Sequence, residues 1–168
     1  MQSVMTRTAT LRAPSGSMTD VFACARAQIY YNIKRKPLAQ VKRETGCSHI
    51  INGYLFNGSF QPVGWTVIDG KVISRDAYQD WGISIGSDGK PQMLTDRGGS
   101  FLSGVPLLKN GAKLERSLTP DVARSAARTA VGWMPDGRIC LWCDKTSLTR
   151  EQLQNKLLGL GVADALML

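Results

Sequence analysis

Cys140 and Cys143 form a C-x-x-C pair in the run Gly137–Asp144, the spacing of a redox dithiol or of half a zinc site. The run alternates apolar and polar residues as a strand does, which sends positions i and i+3 to opposite faces. No second pair stands nearby in sequence, so both cysteines are expected to be structural thiols. His49 is the sole histidine; it excludes multi-histidine metal centres and leaves one imidazole as a candidate acid or base. Nothing among these residues calls for a metal or a cofactor. Gly82-Ile83-Ser84-Ile85-Gly86 fits G-x-S-x-G, but a nucleophile elbow needs a helix directly after the serine. Here a Ser87-Asp88-Gly89-Lys90 turn follows, so Ser84 is expected in a strand. Asn57-Gly58-Ser59 is a glycosylation sequon, which matters only in an exported chain.

Charge is the next chemical signal. Lysine and arginine number 21 against 13 acidic residues, a net charge of +8. Residues 1–50 hold eight of the basic side chains and two of the acidic ones, with Lys34, Arg35, Lys36, Lys42 and Arg43 close together. Such an excess fits an anionic partner: nucleic acid, a nucleic-acid enzyme or a phosphate-bearing substrate. It fits equally a solvated face that keeps the chain soluble. Apolar residues make up 43% and mean hydropathy is −0.14, values of an ordinary globular domain. No apolar run approaches the ~18 residues needed to cross a bilayer, so no membrane partner is expected. The stretch Met1–Ala13 lacks the apolar core of a secretion signal, and the chain is expected to be cytoplasmic on synthesis.

These residues must be held by local structure that the turn chemistry makes readable. Asp69-Gly70, Asp88-Gly89, Asn110-Gly111 and Asp136-Gly137 tolerate the positive φ angles of tight hairpins. They predict pairing of Trp65–Ile68 with Val72–Ser74, Trp81–Ile85 with Gln92–Thr95, and Thr129–Met134 with Ile139–Asp144. A further hairpin is expected between Thr6–Ala13 and Met18–Ala25. Helices are predicted over Pro37–Thr45, with Gly46 as its C-cap, and over Thr119–Ala127. A third is predicted over Thr149–Leu160, where Thr149 and Gln152 make a capping box and Leu153, Leu157, Leu158 and Leu160 a stripe. Ala163–Leu168 follows as an apolar strand, expected to leave an edge open to a partner. At 168 residues the reading is a single α+β domain, mostly antiparallel sheet built from hairpins, with about three helices. Residues 1–44 form its basic hairpin and helix, and 45–168 its core.

Three segments together resemble the phosphodiester glycosidase (uncovering-enzyme) family. They are Ile50-Ile51-Asn52-Gly53-Tyr54-Leu55-Phe56, then Arg128-Thr129-Ala130-Val131-Gly132 with a hairpin ending on Asp144, then Leu148–Leu160 leading into Asp164-Ala165-Leu166-Met167-Leu168. The family pattern runs from N-G-x-F/Y-F through R-T-A-x-G to L-G-x-x-D-A-L-x-L-D-G-G-G-S. The sequence stops at Leu168, before D-G-G-G-S, so the expectation is either a truncated sequence or a copy that has shed catalysis and kept the fold. The likeness is greatest to members carried by phages of gut bacteria.

The resemblance implies hydrolysis of a sugar-1-phosphodiester, including those of cell-envelope polymers. A phosphodiester suits arginine's planar fork, the implied role of Arg128; the alternative is an arginine that caps a helix or pairs with Asp121. An oxocarbenium-like transition state wants a carboxylate nearby, the implied role of Asp144; the alternative is a turn residue leading into Lys145-Thr146-Ser147. Asn52 and Thr129 would bind substrate, Gly53 and Gly132 would let the backbone approach it, and Tyr54 and Phe56 would stack on the sugar or pack in the core. This reading predicts that Asn52, Arg128 and Asp144 share one cleft. The second reading is a non-catalytic phage or mobile-element binding protein, an inhibitor that engages nucleic acid or a nucleic-acid enzyme through its basic first third.

Overall fold

The computed structural model describes residues 2–5, 10–11, 17–24, 26–32, 34–53, 56–59, 61–76 and 80–168. In chain order the first strands are β1 (Gln2–Met5), β2 (Thr10–Leu11), β3 (Ser17–Phe22) and β4 (Ala27–Tyr30). Helix α1 (Leu38–Thr45) leads to β5 (His49–Asn52), β6 (Trp65–Ile68), β7 (Lys71–Arg75), β8 (Gly82–Ile85) and β9 (Pro91–Leu94). Then come β10 (Ser100–Ser103), β11 (Val105–Lys109), β12 (Ala112–Lys113) and the single turn α2 (Pro120–Ala123). Last are β13 (Ala126–Trp133), β14 (Ile139–Leu148), α3 (Arg150–Gly159) and β15 (Asp164–Met167).

The predicted hairpins form with the expected partners. Trp65 lies opposite Arg75 and Ile68 opposite Lys71 across β6–β7, Gly82 opposite Leu94 across β8–β9, and Trp133 opposite Ile139 across β13–β14. Asp69 (φ 49°) with Gly70 (φ 77°), and Asn110 (φ 51°) with Gly111 (φ 74°), take the left-handed pair that matches strand twist. Ser84 lies in β8, as its context predicted, buried and paired with Phe101 and Gln92. Of the N-terminal hairpin, Thr10 opposite Asp20 and Leu11 opposite Thr19 are present; residues 6–9 and 12–16 lie outside the described residues.

Two compact units result. One comprises Met1–Thr8, Ala23–Val105 and Leu168, the other Ala9–Phe22 and Pro106–Met167. The first holds a three-stranded sheet, order β4-β1-β5, and a five-stranded sheet, order β7-β6-β10-β8-β9. Its core gathers Val67, Ile83, Ile85, Met93, Phe101 and Leu102. Helix α1 starts after Pro37 and stops at Gly46 (φ 67°), whose N–H bonds the Lys42 carbonyl.

The second unit is built on a seven-stranded sheet, order β12-β11-β15-β13-β14-β3-β2. Its core holds Phe22, Leu107, Val131, Ile139, Trp142 and Leu166. The capping box is present: the Thr149 hydroxyl accepts from Gln152 N–H, and the Gln152 side chain accepts from Thr149 N–H. Leu153 and Leu157 of α3 are fully buried. Between them the buried Gln154 donates to the carbonyls of Leu107 and Leu114, tying the helix to β11 and to the residue that follows β12.

Several expectations change. The apolar stripe of α3 stops short, because Leu160 is the exposed C-cap. The predicted helix over Thr119–Ala127 shrinks to the turn α2, since Ala126 and Ala127 already belong to β13. β15 leaves no open edge: it is an interior strand, paired with β13 and bounded by β11 on its other side. No helix among the described residues is long and apolar enough to cross a membrane.

Candidate active site

Two of the residues singled out by the sequence meet in the second unit. Arg128 on β13 and Asp144 on β14 are direct partners across the ladder. Residues directly opposite in an antiparallel pair share a face of the sheet, with Cβ atoms roughly 4.5–5.5 Å apart. The hairpin turn at Asp136-Gly137 sets the register that brings them together. β15 ends alongside, with Met167 opposite Ala130, two residues along β13 from Arg128.

Each side chain of the pair is fixed from its own strand. The Arg128 Nη2 donates to the carbonyl of Val122 at 2.8 Å and to that of Arg124. Those oxygens lie at the C-terminal end of α2, where a helix turn leaves carbonyls without partners. The helix-capping role weighed from the sequence is thus present in full, and it anchors a half-buried guanidinium at a set place. Asp144 is buried. Its Oδ1 accepts from Thr146 N–H at 2.8 Å and from the Thr146 hydroxyl at 2.7 Å. The Thr146 backbone bond, then its hydroxyl, hold the Asp144 carboxyl below the usual aspartate value against the opposing effect of burial, and Lys156 of α3 adds a favourable charge. Asp144 therefore stays ionised.

Thr146 and Lys156 were not singled out from the sequence. Thr146 had a readable signal, the D-x-T spacing of a side chain bonding the backbone two residues on. Lys156 had none, because only the packing of α3 on β14 brings its charge to Asp144.

The remaining site residues are divided between the two units. Thr129 is half-buried opposite Cys143. Gly132 does not present bare backbone to a ligand: a Cβ there would meet Val162 Cγ1 at 2.5 Å, so the space is taken by internal packing. Asn52 belongs to the other unit, at the exposed end of β5, where its Nδ2 donates to the Gly53 carbonyl at 3.1 Å. Gly53 is buried, and Tyr54 lies outside the described residues. Phe56 is 57% exposed, which overturns core packing for that ring. His49 is half-buried in β5 opposite Met5.

Cys140 and Cys143 are unbridged. Cys140 is fully buried, and burial pushes its thiol up to about 11; Cys143 is half-buried, so only one of the pair is sealed in the core. No three His, Cys, Asp or Glu side chains among the described residues gather to hold a metal ion.

The basic cluster has local partners of its own. Lys36 bonds Glu44, which raises the lysine and lowers the glutamate from their ordinary values. Lys42 and Arg43 occupy the last turn of α1, where cations offset the negative end of the helix. Lys34 and Arg35 are exposed.

The phosphodiester glycosidase family model matches residues 45–168. The chain belongs to the phosphodiester glycosidase family. Among solved structures, the catalytic domain of zebrafish N-acetylglucosamine-1-phosphodiester alpha-N-acetylglucosaminidase, described as auto-inhibited by its pro-peptide, is similar to it. That likeness has a TM-score of 0.54 at 25% identity and covers 70% of this chain and 48% of that one. A hypothetical protein from Synechocystis shares the fold, with a TM-score of 0.65 at 13% identity over 95% of this chain and 55% of the other. This phosphodiester glycosidase chain therefore spans about half the length of the solved structures that it matches. No curated protein matches it.

Proposed function

We propose that this domain cleaves the glycosidic bond of a sugar-1-phosphodiester, with Arg128 holding the phosphodiester and Asp144 supplying the carboxylate at the sugar. The observation that carries the reading is the direct pairing of Arg128 with Asp144 across β13–β14, in the segment that matches the family. A phosphodiester is a singly charged group, and a guanidinium anchored on the α2 carbonyls meets it without first having to be ordered. A depressed carboxyl suits the charge that stabilises an oxocarbenium-like transition state. It does not suit a general acid, which needs a raised value. When the C1–O bond breaks, water adds to the sugar carbon and the phosphate departs as a stable phosphomonoester anion, so that departure makes little demand for a proton.

Glycosidases usually employ two carboxylates, and the family pattern places an aspartate in the D-G-G-G-S that follows the residues matching Ala165–Leu168. The β13–β15 pairing ends with Met167 opposite Ala130, two residues along β13 from Arg128. The family's second carboxylate would then reach the same end of the sheet as Asp144.

The test is release of free sugar from UDP-N-acetylglucosamine or another sugar-1-phosphodiester, with Arg128→Ala as control. Release lowered about 100-fold by Arg128→Ala, the order expected for a lost charge-stabilising donor, supports the reading. Release indifferent to Arg128, or none from a chain extended through D-G-G-G-S, overturns it.

A further inference from the structure

Beyond β5, the described residues 56–59 and 61–63 hold one another by local bonds. Phe56 and Pro62 form an isolated antiparallel bridge, and Asn57 organises the turn between them. The Asn57 Oδ1 accepts from Ser59 N–H at 2.9 Å and Gln61 N–H at 3.0 Å, while Asn57 N–H donates to the Gln61 carbonyl at 2.9 Å. The loop walls a cleft of about 300 Å³ against Tyr31 and the edge strand β7. That volume is at the small end of the range for ligand sites.

Its lining among the described residues is chemically mixed. Tyr31, Gln61 and Ser74 bring hydroxyl and amide groups, Asp76 a carboxylate, and Val63 and Ile73 apolar surface. Gln61 Oε1 accepts from Asn57 Nδ2 at 3.3 Å, which turns the amide so that Nε2 serves as a donor. A neutral polyol offers what this wall asks for: hydroxyls that both donate and accept, on a ring with apolar C–H faces. The carboxylate of Asp76 repels an anion, so a phosphate is disfavoured here, in contrast to the surroundings of Arg128 and Lys156.

We infer that this cleft binds a neutral hexose ring, as a sugar-recognition site built from Asn57, Gln61, Val63, Asp76 and the edge strand β7. The inference deepens the hydrolase reading and rests on it for the choice of sugar, but it stands on its own measurement. The intact chain is titrated with N-acetylglucosamine, with glucose and with inorganic phosphate, following backbone amide NMR shifts. At least one sugar is expected to move the amides of Gln61, Val63, Ser74 and Asp76, with phosphate leaving them in place. Gln61→Ala and Ser74→Ala should each weaken that binding at least fivefold, and the same spectra show whether each variant is folded. Shifts from neither sugar, shifts confined to other residues, or cleft shifts driven by phosphate overturn the inference. Sugar release without cleft binding would sink this site and leave the hydrolase reading intact. Cleft binding with no release from a chain extended through D-G-G-G-S would do the reverse.

Discussion

Arg128 and Asp144 face each other across the β13–β14 ladder, yet each is tied to its own strand's surroundings. The arginine is held by the carbonyls of Val122 and Arg124, the aspartate by Thr146. A cation and an anion are thus fixed on one face of the sheet.

Substitutions at Arg128 should separate anchoring from charge. Arg128→Lys keeps the charge and loses the planar fork, so kcat/KM on a sugar-1-phosphodiester should fall about 10-fold. Arg128→Ala should lose about 100-fold or more. Both variants free the α2 carbonyls, and thermal melts should show a cost of about 1 kcal/mol in each. Equal rates for Lys and Ala would mean that the fork, and not the charge, carries the binding.

Asp144 should set part of the acid limb of stability. Its folded value lies below the ordinary 3.8. The stabilisation is therefore present above the unfolded value and is lost as the pH falls through the folded one. Melting temperature measured from pH 6 to pH 2 should drop below about pH 4, and Asp144→Asn should flatten that drop. Asp144→Ala leaves the Thr146 donors unmet and should cost about 1–3 kcal/mol at neutral pH. An acid limb unchanged in Asp144→Asn would show that other carboxylates dominate it.

Gly132 and Val162 should behave as one packing unit. Gly132→Ala places a methyl group 2.5 Å from Val162 Cγ1 and should destabilise by about 1–3 kcal/mol. Val162→Ala should relieve much of that cost in the double variant, which a denaturant-unfolding cycle measures directly. Additive effects would show that the clash is absorbed elsewhere.

Cys140 should resist thiol reagents while the chain is folded. A thiol raised to about 11 holds little thiolate at pH 8, and the thiolate is the reactive form. Mass-spectrometric labelling at pH 8 should modify Cys143 well before Cys140. Unfolding in denaturant should abolish the difference, and equal rates in the native chain would contradict the burial of Cys140.

The hairpins and the capping box were readable because they rest on neighbouring residues. Asp69-Gly70 and Asn110-Gly111 reach positive φ at little cost, and Thr149 needs only Gln152, three residues on, to close its cap. The place of the Phe56 ring stayed open between core and surface because an aromatic residue in an apolar run looks the same to local pattern whether the chain turns inward or into a loop. The same limit applied to Leu160, whose place at the end of α3 exposes it.

The sequence by itself determined where the chain turns, which segments pair as hairpins, and which short motifs carry the likeness to the phosphodiester glycosidases. These are matters of backbone φ, side-chain period and local hydrogen bonding, all settled within a few residues. Tertiary structure alone decided that β15 lies inside the sheet beside β13, that Lys156 stands near Asp144, and that Val162 fills the space over Gly132. Such contacts join residues far apart in the chain, and they form only when whole faces are buried together, which no short window of sequence encodes.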